Sequence, residues 1–121
     1  MEEVTNLSQE EAVDISKNFP VQPRRNKLII TVNVDEYDGD VVLSNNSFSE
    51  TQYVVAVGDF VKDIKVGDPV LLDLEKMMVS EQSPDNQYES VSRIKLKPVD
   101  VNGRMYALIN DGVVDAIDNR N

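Results

Sequence analysis

YVVAVGDFVKDIKVGDPVLLDL, residues Tyr53–Leu74, holds two apolar runs, Tyr53–Val57 and Pro69–Leu74. Each touches a Gly-Asp pair: Gly58-Asp59 follows the first run and Gly67-Asp68 precedes the second. Apolar, β-branched runs bounded by Gly and Asp read as strands bounded by turns. Glycine supplies the positive φ of a sharp turn, and an Asp side chain accepts hydrogen bonds from nearby backbone N–H groups. Gly58, Gly67 and Asp68 are therefore the expected turn residues. KVGDPVLLD, Lys65–Asp73, is a compact entry from a tight turn into a barrel strand. These residues alone predict a small all-β domain.

Working outward, LIITVNV at Leu28–Val34 is the clearest strand upstream, with Ile30, Val32 and Val34 alternating against Ile29, Thr31 and Asn33. Pro20 and Pro23 open an extended approach to it, and Arg24, Arg25 and Lys27 form a small basic cluster at its start. Before them, Ser8 and Glu11 have capping-box spacing, and Ala12, Ile15 and Phe19 share one helical face. So short a helix is marginal alone and must dock, either on its own barrel or on a neighbour. Downstream of Leu74, Glu75–Ser90 is polar with a Pro84-Asp85-Asn86 turn signal, which predicts a long loop or hairpin tip. Ser92–Val99 reads as one strand with Arg93, Lys95 and Lys97 on its outer face. Asn102-Gly103 is a strong two-residue hairpin signal joining Val99–Val101 to Arg104–Ile109. Asn110-Asp111-Gly112 turns again into a last short strand, Val113–Ile117.

Between the first strand and the central stretch lies DEYDGDVVLSNNSFSE, Asp35–Glu50. The charged DEYDGD fails as a calcium loop: with Gly39 as the loop glycine, Val34 falls at the first ligand position and Asn45 at the last, where Glu is wanted. The apolar tripeptide Val41-Val42-Leu43 between two polar, turn-forming stretches has two readings. One is a short edge strand; the other is an exposed hydrophobic hook on a loop.

Composition narrows the chemistry. The 121 residues suit one domain with a core of modest size. There is no Cys and no His, so thiolate catalysis, disulfides and the commonest acid–base group and metal ligand are excluded. No phosphate-binding glycine loop is present and no Ser-x-x-Lys pair stands in a catalytic context, so the expectation is a non-enzyme without metal or cofactor. The 22 acidic against 12 basic residues set a net charge of −10, which repels phosphate backbones and argues against nucleic-acid binding. No run is long enough to cross a bilayer, and the acidic, polar MEEVTNLSQEE resembles no targeting segment, so the expected place is the cytoplasm.

In order, VQPRRNKLIITV, GDVVL, VVAVG, DIKVGDPVLL and MYALINDGVVDAID resemble five blocks of the GroES-type co-chaperonins over Val21–Asp118. The resemblance implies a small, partly open β-barrel of the GroES-like type at residues 19–121, preceded by a short helical extension at 1–18. It also implies a homo-oligomeric, heptameric ring that caps an ATP-dependent, GroEL-like chaperonin. The end strands Leu28–Val34 and Val113–Ile117 would pair between neighbouring copies. Residues 39–50 take the place of the mobile loop, and Val41, Val42 and Leu43 that of its apical-domain docking residues. Three features depart from the pattern: Gly58–Gly67 is too short for a roof hairpin, 75–92 is an inserted loop, and residues 1–18 have no counterpart. Such departures are what phage-encoded members look like, acting in the host cytoplasm. They are equally what a virion protein decorating a phage capsid on the same barrel would look like.

Overall fold

The computed structural model describes residues 6–33, 49, 51–82, 90–94 and 97–119. The chain is mostly β, with one open six-stranded antiparallel sheet, a separate two-stranded hairpin and two short helices. Helix α1 spans Gln9–Ser16, and β1, β2 and β3 span Lys27–Thr31, Thr51–Val57 and Pro69–Leu72. A single helical turn, α2 (Leu74–Met77), leads into β4 (Met78–Gln82) and β5 (Ser90–Ile94). Strands β6 (Lys97–Val101) and β7 (Arg104–Asn110) and a 3₁₀ turn at Asp111–Val113 precede β8 (Val114–Ile117). The large sheet runs β6-β7-β1-β2-β3-β8, so β6 and β8 are its edges.

The first expected run of the central stretch is a strand throughout and the second over Pro69–Leu72, with Leu74 opening α2 instead; the two pair antiparallel with Tyr53 opposite Pro69. The turn into β3 is a β-turn from Lys65 to Asp68, closed by the Asp68 N–H on the Lys65 carbonyl at 3.0 Å. Gly67 stands at its third position with φ +88°, where a type II turn demands a positive φ. The Asp68 carboxylate accepts from the Lys65 N–H at 2.8 Å and holds the turn from the other side. Asn102 and Gly103, with φ 54° and 79°, join β6 to β7 as the two-residue hairpin signal predicts.

Gly58 opens a turn, its carbonyl accepting from the Val61 N–H at 3.1 Å, but without the positive φ expected of it, and it serves a second need as well. It is buried where the end of β2 crosses the approach to β1, and its N–H donates to the Lys27 carbonyl at 2.8 Å. A β-carbon there would clash with the Arg25 carbonyl oxygen and stand 2.9 Å from the Lys27 carbonyl oxygen. All the obstructing atoms are backbone, so none can swing aside. Gly58→Ala should therefore lower stability by about 3 kcal/mol, read as a shift of the urea midpoint. Gly112→Ala, with nothing within 4 Å of the added carbon, should move it by less than about 0.5 kcal/mol.

The sheet buries both faces. Leu28, Ile30, Val54, Val70, Leu72, Ala107 and Ile109 form one cluster, completed by Ile64 and Met77 and flanked by Val113, Val114 and Ile117. On the other face Ile29, Val55, Ala56 and Tyr106 pack with Leu7 and Ala12 of the N-terminal segment. Between the pairs Ile29–Ala56 and Ile30–Val54, Val55 is an extra residue in β2. This bulge lets consecutive Val55 and Ala56 serve the same cluster, against the strict alternation of a regular strand. Phe19 meets Tyr106 edge to face with centroids 5.0 Å apart, and Ile15 joins the same cluster. Of the two docking choices for the helix, its own sheet is the one taken. Its capping box is complete: Ser8 Oγ accepts from the Glu11 N–H, and the Glu11 carboxylate accepts from the Ser8 N–H.

Two expectations change. Ser92–Val99 is not one strand: β5 pairs with β4, and β6 pairs with β7 in the other sheet. The sequence alternates throughout this stretch, and alternation carries no information about which partner a strand joins. In the stretch expected to be an inserted loop, the described residues are the turn of α2 and the β4–β5 hairpin. The second change concerns β1, which is flanked on both sides by β2 and β7 within its own chain. It has no free edge to offer a neighbouring copy, whereas among the described residues β8 pairs on one side only, with β3.

Candidate functional site

The most developed polar structure in the described residues lies where β1 ends and β2 begins. The Ser49 N–H donates to the Asn33 carbonyl at 3.1 Å. The Asn33 and Ser49 backbones are thereby pinched together at one point, with residues 34–48 between them in the sequence. Val41, Val42 and Leu43 belong to the span between and lie outside the described residues.

Gln52 closes this neck. It is 0 % exposed, and all four hydrogen-bonding positions of its carboxamide are used. Its Oε1 accepts from the Asn33 N–H at 2.7 Å and from Thr31 Oγ1 at 2.9 Å. Its Nε2 donates to the Asn33 carbonyl at 2.9 Å and to the Ser49 carbonyl at 2.7 Å. The side-chain amide thus takes the place of a peptide unit opposite Asn33, just where the β1–β2 ladder stops. Thr31 Oγ1 in turn accepts from the Tyr53 N–H at 3.0 Å.

The pairing repeats one layer out. The Asn33 carboxamide accepts from the Leu7 N–H and donates to the Leu7 carbonyl, both at 2.9 Å. Leu7, Thr31, Asn33 and Gln52 are all buried. No buried side-chain nitrogen or oxygen among the described residues lacks a partner. A network so fully satisfied rigidifies its surroundings, and it would be costly if half-made.

None of this neck was singled out from sequence. Gln52 precedes the apolar run and reads as a polar strand end. Its signal is that it stands two residues before Val54, and so on an inward position of the strand period.

A second surface lies at the open edge of β8. A groove of about 450 Å³ is lined by the apolar Phe60, Val61, Ile64, Val114 and Ile117 together with Lys62, Asp63, Asp111 and Asp115. Phe60 is 62 % exposed, the most exposed of the large apolar side chains described. Of the three expected turn residues, Gly67 and Asp68 sit together in the Lys65–Asp68 turn and Gly58 stands apart at the β2 exit. No group of three or more acidic side chains among the described residues could hold a metal ion. No helix there is long and apolar enough to cross a membrane.

No protein-family model matches this chain, and no curated protein does.

Proposed function

We propose that this chain is a co-chaperonin-like ring protein, without catalysis of its own, that closes an ATP-dependent chaperonin through Val41, Val42 and Leu43. The observation that carries the reading is the pinched neck. A binding loop works best when its ends are fixed and its tip is free to meet a partner, and Asn33, Ser49 and Gln52 fix both ends. The ordered resemblance to the GroES-type blocks supplies the partner: the apical domain of a GroEL-like chaperonin. On this reading the sheet is a partly open β-barrel of the GroES-like type. The cluster shared by β1, β2, β3 and β7, with β8 at its flank, is what such a barrel would enclose.

A heptameric ring needs a repeated head-to-tail contact that removes open edges. The edge of β8 beside exposed Phe60 is the surface we assign to that contact. The test is a pull-down with the chain as bait, with and without ATP, on material whose particle mass has been measured by light scattering. Several subunits per particle and ATP-dependent recovery of a large chaperonin are expected. A persistent monomer that recovers no chaperonin would defeat the proposal, and recovery of phage capsid protein would replace it with a virion role.

A further inference from the structure

We propose that the N-terminal segment, residues 6–16, is a strap whose docking on the sheet and the closure of the loop neck form one coupled equilibrium. The inference needs no particular partner for the span 34–48, so it stands or falls apart from the chaperonin reading.

The strap is anchored at Leu7 and Gln9, on partners far apart in sequence. The Leu7 backbone holds the Asn33 carboxamide by two hydrogen bonds. Gln9 Nε2 donates to the Gly67 carbonyl at 2.9 Å. Val13 Cγ2 lies 2.5 Å from where a β-carbon on Gly67 would stand, so the helix packs against the bare backbone of residue 67 and a side chain there would push Val13 aside. Beside these bonds, Leu7 and Ala12 are buried against Ile29, Val55, Ala56 and Tyr106.

Coupling follows from what undocking would leave behind. An eight-residue helix is not stable by itself, so α1 is folded when docked and melts when it lifts. The segment is thus a two-state element. When it lifts, the Asn33 carboxamide, 8 % exposed with the strap docked, loses both its Leu7 partners and is opened to water. Its side chain then no longer fixes residue 33 from the strap side. The restraint is lost on the Asn33 N–H and carbonyl, the same groups that Gln52 and Ser49 hold. Whatever engages the strap must therefore loosen or tighten the neck, and by linkage whatever engages the neck must act on the strap by the same factor.

Amide hydrogen exchange, followed by NMR on the full chain and three variants, tests this. Ala12→Glu disturbs the helix seat, Gln9→Ala removes only the Gly67 anchor, and Asn33→Ala removes only the latch. Ala12→Glu should speed exchange at the Asn33 and Ser49 amides by about fivefold or more relative to Ile29 and Leu108 in the central ladder. Gln9→Ala should act in the same direction by a smaller factor. Asn33→Ala should speed exchange at the Ala12 amide, which donates to the Ser8 carbonyl in the docked helix. If Ala12→Glu does not fold, the other two variants decide. Changes confined to the mutated end would overturn the proposal, as would changes at both ends that only keep pace with the central ladder.

Discussion

Replacing Gln52 by leucine should unsettle the domain more than any loss of a surface contact, although it lengthens the apolar run that begins at Tyr53. The two side chains are close in size, so the effect isolates hydrogen bonding from cavity formation. Leucine would leave the Asn33 N–H, the Thr31 hydroxyl and the Ser49 carbonyl without the partners they have now. The Asn33 carbonyl keeps the Ser49 N–H, so it is not orphaned. Each stranded buried group costs about 1–3 kcal/mol. A combined loss of about 3–5 kcal/mol is expected, less where a group can turn to water. In a domain of this size that lowers the thermal midpoint by at least about 10 °C. Calorimetry on the two proteins measures it. A leucine variant melting within about 2 °C of the parent would show that the neck is not stabilised by this amide.

The same residue shows where sequence reading stops. Turns were legible because they rest on requirements of one or two residues: a positive φ at Gly67, a two-residue connection at Asn102-Gly103, a capping box at Ser8 and Glu11. Strands were legible where apolar runs are long, as at Tyr53–Val57 and Leu28–Ile30. Partnership was not. Nothing within Leu28–Val34 says that both edges of β1 are taken inside the chain, and nothing in Ser92–Val99 says that its halves join different sheets. Gln52 is an extreme case, because a lone Gln at a strand start reads as solvent-facing. Its burial depends on backbone groups 19 and 3 residues away in sequence, at Asn33 and Ser49. The tripeptide Val41–Leu43 is too short to show any period, so its pattern fits an edge strand and a hook equally.

Those two readings of the tripeptide separate on one substitution, Val42→Asp. If the tripeptide docks on a partner, it is exposed in the free protein. The substitution should then change stability by no more than about 0.5 kcal/mol. If it is a packed strand, the same change buries an unpaired carboxylate and the fold should fail. Binding is expected to suffer far more than stability. Two Val and one Leu yield roughly 5–8 kcal/mol gross when buried against a partner. Ordering the residues that carry them costs about 1–2 kcal/mol each, so one loop nearly breaks even. On the proposed ring, affinity must then come from several loops acting together. Every subunit of a mutant ring carries the Asp, so the losses multiply and chaperonin capping should be abolished. Fixing the neck through Gln52 lessens the ordering cost for every loop at once, which ties this prediction to the first. A capping assay and a thermal melt on Val42→Asp decide the matter. A variant that melts like the parent and captures no chaperonin is the expected result, and one that still caps would refute the docking role of residues 41–43.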